Sequence, residues 1–290
     1  MRVVIVGADG LIGNALHASL RRRGHSVLGT TRRTDKAGYK GGIFLDLSES
    51  TLPSIPPADV AIICAAMSRF ADCRNYPDRA RHVNVLAPLM NAKQIGEKGG
   101  RVLLLSSSVV FDCRSPHAMA DQPTAPRSAY GRLKAEAEAG ILAIGGTVLR
   151  LTKVVAAGTG RLADWVSALE QGQIVRAFED HRFCPIKLDS ALDAVAAIAE
   201  QRSSGVFQLS GAEDISYADA ARHLTDRMGI PRDRVEGALA VDNGVPEDEV
   251  TPYTSLDTSR LSALSGYRPL SPRKVIDDVF AASFATARTP

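Results

Sequence analysis

The stretch Val3-Val4-Ile5-Val6-Gly7-Ala8-Asp9-Gly10-Leu11-Ile12-Gly13 decides the fold. Its four leading β-branched residues predict a strand buried on both faces, as at the centre of a parallel sheet. The three glycines follow at three-residue spacing, and an apolar helical pattern begins among them. Gly7 permits a tight turn, Gly10 lets backbone approach a pyrophosphate, and Gly13 lets the helix lie close on the sheet. The free N–H groups of that helix suit phosphate, so the stretch predicts dinucleotide binding.

Strand and helix patterns alternate along the first half of the chain. After the first helix, strands are predicted at 26–30, 43–45, 60–64, 102–105 and 147–151, a long helix at 71–97, and another helix from about 128. This alternation predicts an α/β fold with a doubly wound parallel sheet, the Rossmann fold.

We expect residues 1–152 to form an NAD(P)-binding Rossmann domain, with a return to it at about 186–210. Residues 153–290 are expected to form a smaller, mainly substrate-binding α/β region. Helices are predicted there at 162–169, 189–201, 217–228 and 275–284, and short strands at 174–178 and 206–210.

The composition is that of an ordinary globular protein, with 45% hydrophobic and 23% charged residues in a chain of 290. A net charge of +3 without a dense basic cluster argues against a nucleic-acid partner. No apolar run approaches the roughly 20 residues of a membrane span, so no membrane partner is expected. Four cysteines show no paired or metal-ligand spacing, and the first strand leaves no room for a signal peptide. We therefore expect a cytoplasmic protein with reduced thiols and no metal.

The end of the second strand bears on the choice of cofactor. An acidic residue there would bind the two ribose hydroxyls and favour NAD. The chain instead reads Thr30-Thr31-Arg32-Arg33, with no carboxylate until Asp35. The guanidinium groups of Arg32 and Arg33 suit a 2′-phosphate, which favours NADP, although two loop arginines can also be merely solvated. NADP is thus the predicted cofactor, and NAD stays possible.

Tyr130 and Lys134 lie four residues apart, hence on one face of a helix. A nearby ammonium stabilises a phenolate, so Lys134 is expected to lower the pKa of Tyr130 towards a useful range. Such a pair also occurs as a surface feature. Just upstream, however, Ser106-Ser107-Ser108 leaves a strand at the edge where α/β sheets bind ligands. A serine hydroxyl beside the tyrosine could hold a substrate carbonyl oxygen during reduction.

These motifs together resemble the extended short-chain dehydrogenase/reductase family. They are the glycine triplet, the serine-rich strand exit followed by Val110-Phe111-Asp112, and Tyr130-Gly131-Arg132-Leu133-Lys134. Within that family the chain is most similar to the dTDP-4-dehydrorhamnose reductase branch and its nucleotide-sugar epimerase relatives.

The resemblance implies roles for individual residues. Ser107 would polarise the carbonyl, Tyr130 would donate the proton and Lys134 would tune Tyr130; Ser106 or Ser108 are alternatives for the serine role. The implied cofactor contacts, which include the tyrosine and lysine themselves, are Gly7, Gly10, Leu11, Ile12 and Gly13 at the pyrophosphate, Asp46 and Leu47 at the adenine, and Ala65 and Ala66 beside the central cofactor.

The chain departs from the branch at some positions. It has Ser107-Ser108-Val109 where the branch reads Thr-Asp-Tyr, and Cys113 where the branch has glycine. A glutamate before the tyrosine helix is replaced by Ala120, with Asp121 adjacent. These differences leave the Ser/Tyr/Lys set intact, but they bear on whether the substrate is the sugar of that branch.

The resemblance implies an NAD(P)H-dependent oxidoreductase that reduces a carbonyl, with the 4-keto group of a nucleotide-linked deoxysugar as the expected substrate. One alternative is a nucleotide-sugar epimerase or dehydratase that retains NAD. Another is a non-catalytic, dinucleotide-binding regulatory subunit. A homodimer through helices near 76–97 and 128–142 is a family-level expectation.

Overall fold

The structure, a computed structural model, describes residues 1–33 and 42–286, so Asp35 lies outside it. Its strands are β1 (Arg2–Val6), β2 (Ser26–Thr31), β3 (Ile43–Phe44), β4 (Val60–Ile63), β5 (Arg101–Ser107), β6 (Thr147–Leu151), β7 (Lys153–Val155), β8 (Val175–Phe178), β9 (Arg182–Phe183), β10 (Pro185–Lys187), β11 (Gly205–Leu209), β12 (Ile215–Ser216) and β13 (Val235–Ala238). Its helices are α1 (Leu11–Arg22), α2 (Phe70–Asn75), α3 (Pro77–Arg81), α4 (Ala87–Glu97), α5 (Ala129–Ala143), α6 (Arg161–Glu170), α7 (Leu188–Glu200), α8 (Tyr217–Met228), α9 (Ser259–Ser265), α10 (Pro272–Val279) and α11 (Ala281–Thr286).

The main sheet has seven strands in the order β11-β6-β5-β4-β1-β2-β3. The pairs β2–β3, β1–β2, β1–β4 and β4–β5 are parallel. Strand order reverses on passing from β1 to β4, which is the switch point where open α/β sheets bind ligands. This arrangement confirms the predicted doubly wound α/β fold.

The chain divides into two compact units. The first comprises Met1–Phe111, Pro123–Arg150 and Leu192–Phe207. The apolar residues of β1, β4 and β5 form its core with side chains from α4 and α5. Because these strands are covered on both faces, they are almost continuously apolar, as their sequences predict.

The second unit comprises Asp112–Gln122, Leu151–Ala191 and Gln208–Pro290. It contains the two-stranded sheets β10–β7, β12–β9 and β13–β8, and its core is built largely from α6, α8, β8 and α10. A buried carboxylate organises part of it: Asp214 accepts hydrogen bonds from the backbone and hydroxyl of Thr254, at 2.6 and 2.8 Å, and from the Ser255 backbone at 3.2 Å.

The sequence predicts one continuous helix at 71–97, and this prediction is wrong because the region is divided into several helical segments. Tyr76 leaves helical geometry because the following residue, Pro77, disfavours the α conformation before it and begins α3. Residues His82–Leu86 then form a π-helical turn before α4. Pro88 lacks the N–H that an α-helix needs at that position, which accounts for the wider turn. The helix predicted at 275–284 is likewise split, into α10 and α11, at Phe280.

No helix among the described residues is both long enough and apolar enough to cross a membrane.

A buried ion pair fixes α5 to β6. The guanidinium of Arg150 donates to Glu138 at 2.8 Å, and the two side chains are only 4% and 2% exposed. Arg150 also lies over the ring of Phe111, 4.8 Å from its centroid. Burying two charges costs desolvation energy, so this pair is stabilising only while both partners are present.

We predict that Glu138→Gln lowers the free energy of unfolding by about 3–5 kcal/mol, because it leaves the charge of Arg150 buried without its carboxylate. Glu136→Gln is the matched control, since Glu136 is on the same helix but pairs with Arg81 at the surface. We expect that control to cost less than about 1 kcal/mol. Urea unfolding measures both variants, and equal losses would contradict the interpretation.

Candidate functional site

The glycine-rich turn between β1 and α1 is set by close backbone contacts. Gly7 has φ +90°, and a Cβ there would lie 2.7 Å from the Cβ of Ala65 in the loop after β4. A Cβ on Gly13 would lie 2.2 Å from the carbonyl oxygen of Gly7. Neither position therefore accepts a side chain without a shift of the backbone.

Gly10 differs from the other two glycines. A Cβ on it would meet only the Gly7 carbonyl oxygen, at an ordinary 3.5 Å, and the residue is exposed. The chain itself does not require a glycine here, so the open surface suits the close approach of an external group. Leu11 is exposed and Ile12 half-buried at the start of α1, where free N–H groups begin.

The predicted adenine-side residues lie in different environments. Leu47 packs in the core of the first unit, whereas Asp46 is half-buried. Burial acts to raise the pKa of Asp46, but hydrogen bonds from Ser48 and attraction by Arg32 and Arg79 lower it overall. Arg32 and Arg33 are both exposed at the end of β2.

The loop after β4 carries the predicted small residues Ala65 and Ala66 and is held by hydrogen bonds from a buried side chain. Ala65 is half-buried and Ala66 exposed. Asn84, in the π-helical turn, accepts from the backbone N–H of Met67 at 2.8 Å and donates to its carbonyl oxygen at 3.0 Å. The wider turn thus places a buried amide that holds this loop at the sheet edge.

The three serines at the end of β5 are not equivalent. Ser106 and Ser108 are buried, and the Ser106 hydroxyl has no hydrogen-bond partner among the described residues. Ser107 is half-buried, and its hydroxyl oxygen accepts a long 3.4 Å bond from the backbone of Val109, which caps a short 3-10 turn. Of the three side chains, that of Ser107 is the most accessible.

Helix α5 approaches this turn very closely. Ser128 caps the helix by accepting from the backbone of Gly131 at 3.1 Å. A Cβ on Gly131 would lie 2.2 Å from the carbonyl oxygen of Val109. Since Gly131 directly follows Tyr130, its missing side chain lets the tyrosine's turn lie against the turn that follows Ser107.

Lys134 is buried and attached to the same strand. Its amine donates to the carbonyl oxygen of Leu105 at 2.7 Å, and the residue is 2% exposed. Burial lowers its pKa to about 8, although Glu138 and Cys64 act in the opposite direction. Cys64, at the end of β4, has its own thiol pKa raised to about 12 by burial, with Lys134 opposing.

The pKa of Tyr130 shifts in the direction opposite to the one that the sequence predicts. Burial raises the pKa of Tyr130, with a smaller contribution from Cys73, whereas a lowering by Lys134 was expected. The reason is that desolvation of the phenol is the largest effect, while the hydrogen bond from Lys134 goes to Leu105. The structure brings Ser107, Tyr130 and Lys134 onto adjoining elements of the first unit.

Phe70 is a site neighbour that the sequence did not single out. Its ring lies 5.6 Å from that of Tyr130, tilted by 31°, so the first residue of α2 contacts the phenol. The two residues are 60 positions apart in the chain. No local pattern indicates such a contact, and only the packing of α2 on α5 creates it.

We predict that Lys134 titrates near pH 8 rather than at its ordinary 10.5, because burial disfavours its charged form. The amine is therefore mainly charged at pH 7 and loses its proton as the pH rises through about 8. NMR titration of ¹³Cε-labelled lysines measures this value, with the signal assigned by its loss in Lys134→Met. A midpoint near 10.5 would contradict the burial.

The parallel sheet with a glycine-rich turn at its switch point belongs to a class, the NAD(P)-dependent short-chain dehydrogenases/reductases of the extended type. Within that class, the chain belongs to the RmlD substrate binding domain family, whose model matches residues 1–283. This confirms the resemblance seen in the sequence.

Individual relatives are more distant. The chain is 25% identical over 285 residues to methionine adenosyltransferase 2 subunit beta of Pongo abelii, covering 91% of this chain and 82% of that protein. It is 26% identical over 296 residues to dTDP-4-dehydrorhamnose reductase of Mycolicibacterium smegmatis, covering 97% and 85%. A crystal structure of a dTDP-4-dehydrorhamnose reductase from Clostridium acetobutylicum matches with a TM-score of 0.82 at 18% identity, over 97% of this chain and 99% of that one. That likeness shows the fold.

Proposed function

We propose that this protein is an NAD(P)H-dependent reductase of a carbonyl, with the 4-keto group of a nucleotide-linked deoxysugar as its substrate. The observation that carries the proposal is the attachment of α5 to the end of β5. Lys134 donates a hydrogen bond to Leu105, and the missing side chain of Gly131 lets α5 contact Val109. Tyr130 and Ser107 therefore lie on two elements that are fixed to each other, and we call this junction of α5 with the end of β5 the Tyr130 corner. The reductase of Mycolicibacterium smegmatis, 26% identical, supports the substrate class.

The residues of this corner have complementary tasks in the proposed reaction. When bound, a reduced nicotinamide would supply the hydride for the carbonyl carbon. The Ser107 hydroxyl donates a hydrogen bond to the carbonyl oxygen, and Tyr130 donates the proton that completes the alcohol. A phenol is protonated at neutral pH even at its ordinary pKa, and burial raises the pKa of Tyr130 further, so the proton is present but is released less readily. Lys134 holds the helical turn that carries Tyr130 against β5 through its hydrogen bond to the Leu105 carbonyl oxygen.

The first unit fits a dinucleotide. Gly10 offers open backbone beside the N-terminus of α1, which suits a pyrophosphate. Ala65 and Ala66 leave room at the switch point, and Arg32 and Arg33 are free of burial at the end of β2. We assign dinucleotide binding to the first unit, where the domain at 1–152 was expected, and sugar recognition mainly to the second.

A second candidate is a non-catalytic subunit that binds a dinucleotide. It is favoured by the 25% identity to methionine adenosyltransferase 2 subunit beta over 91% of this chain. In that case the corner at Tyr130 would hold cofactor without turnover. The epimerase alternative differs again, because it requires NAD retained through purification. The homodimer through helices near 76–97 and 128–142 stays a prediction, which the mass in solution tests.

We predict that Tyr130→Phe lowers kcat for NADPH oxidation with a dTDP-4-keto-6-deoxysugar by about 100-fold or more, since it removes the proton donor. Dinucleotide binding should change little, because the ring and its contact with Phe70 remain. Tyr76→Phe, at an exposed tyrosine between α2 and α3, is the matched control and should keep full activity.

The outcomes separate the candidates. Turnover that depends on Tyr130 supports the reductase. Dinucleotide binding without turnover of any keto-sugar supports the regulatory subunit. Purified protein that carries tightly bound NAD and interconverts a nucleotide sugar supports the epimerase. Equal activity in Tyr130→Phe and the wild-type protein would overturn the assigned role.

A further inference from the structure

The structure places the carboxylate of Asp9 at the end of β2, a strand end that has no acidic residue of its own. The end of β2 reads Thr30-Thr31-Arg32-Arg33, without an acidic residue. In the folded chain, however, the hydroxyl of Thr31 donates to the carboxylate of Asp9, in the glycine-rich turn. The same hydroxyl oxygen accepts from the backbone N–H of Arg33 at 3.0 Å. Thr31 therefore joins the acidic side chain of the turn to the basic end of the strand.

Backbone contacts fix Asp9 in this position. The N–H of Gly7 donates to the hydroxyl of Thr30 at 3.1 Å, and the N–H of Ala8 donates to the Thr30 carbonyl oxygen at 3.0 Å. A Cβ on Gly29 would lie 2.7 Å from the Cβ of Ala8, so only glycine lets β2 come this close to the turn. The carboxylate is thus held at the end of β2 by the fold.

Charged residues adjoin Thr31 both through its hydroxyl and along the chain. Asp9 accepts from the Thr31 hydroxyl, Arg32 and Arg33 directly follow Thr31, and all three charged residues are exposed. In dinucleotide-binding folds this is where the adenosine ribose lies, and an acidic group there accepts a hydrogen bond from the ribose 2′-hydroxyl. A 2′-phosphate at the same place carries close to two negative charges and is attracted by arginine.

We infer that Asp9 is a cofactor-specificity residue: its carboxylate, anchored by Thr31, accepts from the 2′-hydroxyl of NAD and repels the 2′-phosphate of NADP. Arg32 and Arg33 act in the opposite direction, so the chain uses both cofactors instead of excluding one. This inference rests on the proposed function, because it requires that the first unit binds a dinucleotide.

The test compares dissociation constants for NAD and NADP, measured by titration calorimetry with wild-type protein and Asp9→Asn. The amide keeps the shape but removes the charge, so we expect the ratio Kd(NADP)/Kd(NAD) to fall about 10-fold. Asp9→Glu retains the charge and should stay within about 3-fold of the wild-type ratio. Glu97→Gln, which removes an exposed charge on α4, is the matched control and should leave the ratio unchanged.

Ionic strength separates a charge effect from a structural one. The difference between the wild-type protein and Asp9→Asn should shrink at 1 M salt, because exposed charges are then screened. An unchanged ratio in Asp9→Asn, with both cofactors still bound by the wild-type protein, would overturn the role of Asp9 alone. Failure of the wild-type protein to bind either dinucleotide would overturn the inference together with the proposed function.

Discussion

The close attachment of α5 to the end of β5 is the constraint on which the candidate site depends. It has two parts, a 2.7 Å hydrogen bond from Lys134 to the Leu105 carbonyl and the contact that Gly131 allows at Val109. Strand and helix are thereby fixed on either side of the turn after Ser107. A preorganised pair of hydroxyls needs such rigid supports, since small displacements of catalytic groups cost large factors in rate.

The charges on α5 extend this attachment into the core. Lys134 and Glu138 lie one helical turn apart, and Glu138 in turn binds Arg150 on β6. The attraction of Glu138 works against the burial that lowers the pKa of Lys134. One buried carboxylate therefore serves two cations, which links the stability of the sheet to the ionisation of the candidate site.

Much of the fold follows from local sequence. The glycine spacing predicts the turn at 7–13, and apolar runs predict β6 and α8 with the bounds that the structure shows. The helix expected at 71–97 was wrong because apolar periodicity does not register Pro77 and Pro88, which divide it. Pro88 also accounts for the turn that directs Asn84 inward, a consequence that no local pattern contains.

The sequence predicts a set of candidate site residues, which stays a prediction, but it does not predict their electrostatic environment. Spacing placed Tyr130 and Lys134 on one face, but the direction of the tyrosine's pKa shift depends on burial by residues distant in the chain, such as Cys73. The carboxylate of Asp9 was missed for the same reason. Its partner Thr31 is 22 positions away, and only the pairing of β1 with β2 brings the two together.

The most direct test of the attachment is the free energy of unfolding of Gly131→Ala relative to Gly96→Ala. Helix propensity alone favours alanine by about 1 kcal/mol at both helical sites. A Cβ at Gly96 meets nothing within 4 Å, whereas one at Gly131 meets the Val109 carbonyl oxygen at 2.2 Å. We predict that Gly131→Ala loses about 2–3 kcal/mol of unfolding free energy while Gly96→Ala loses none. Equal stability of the two variants would contradict it.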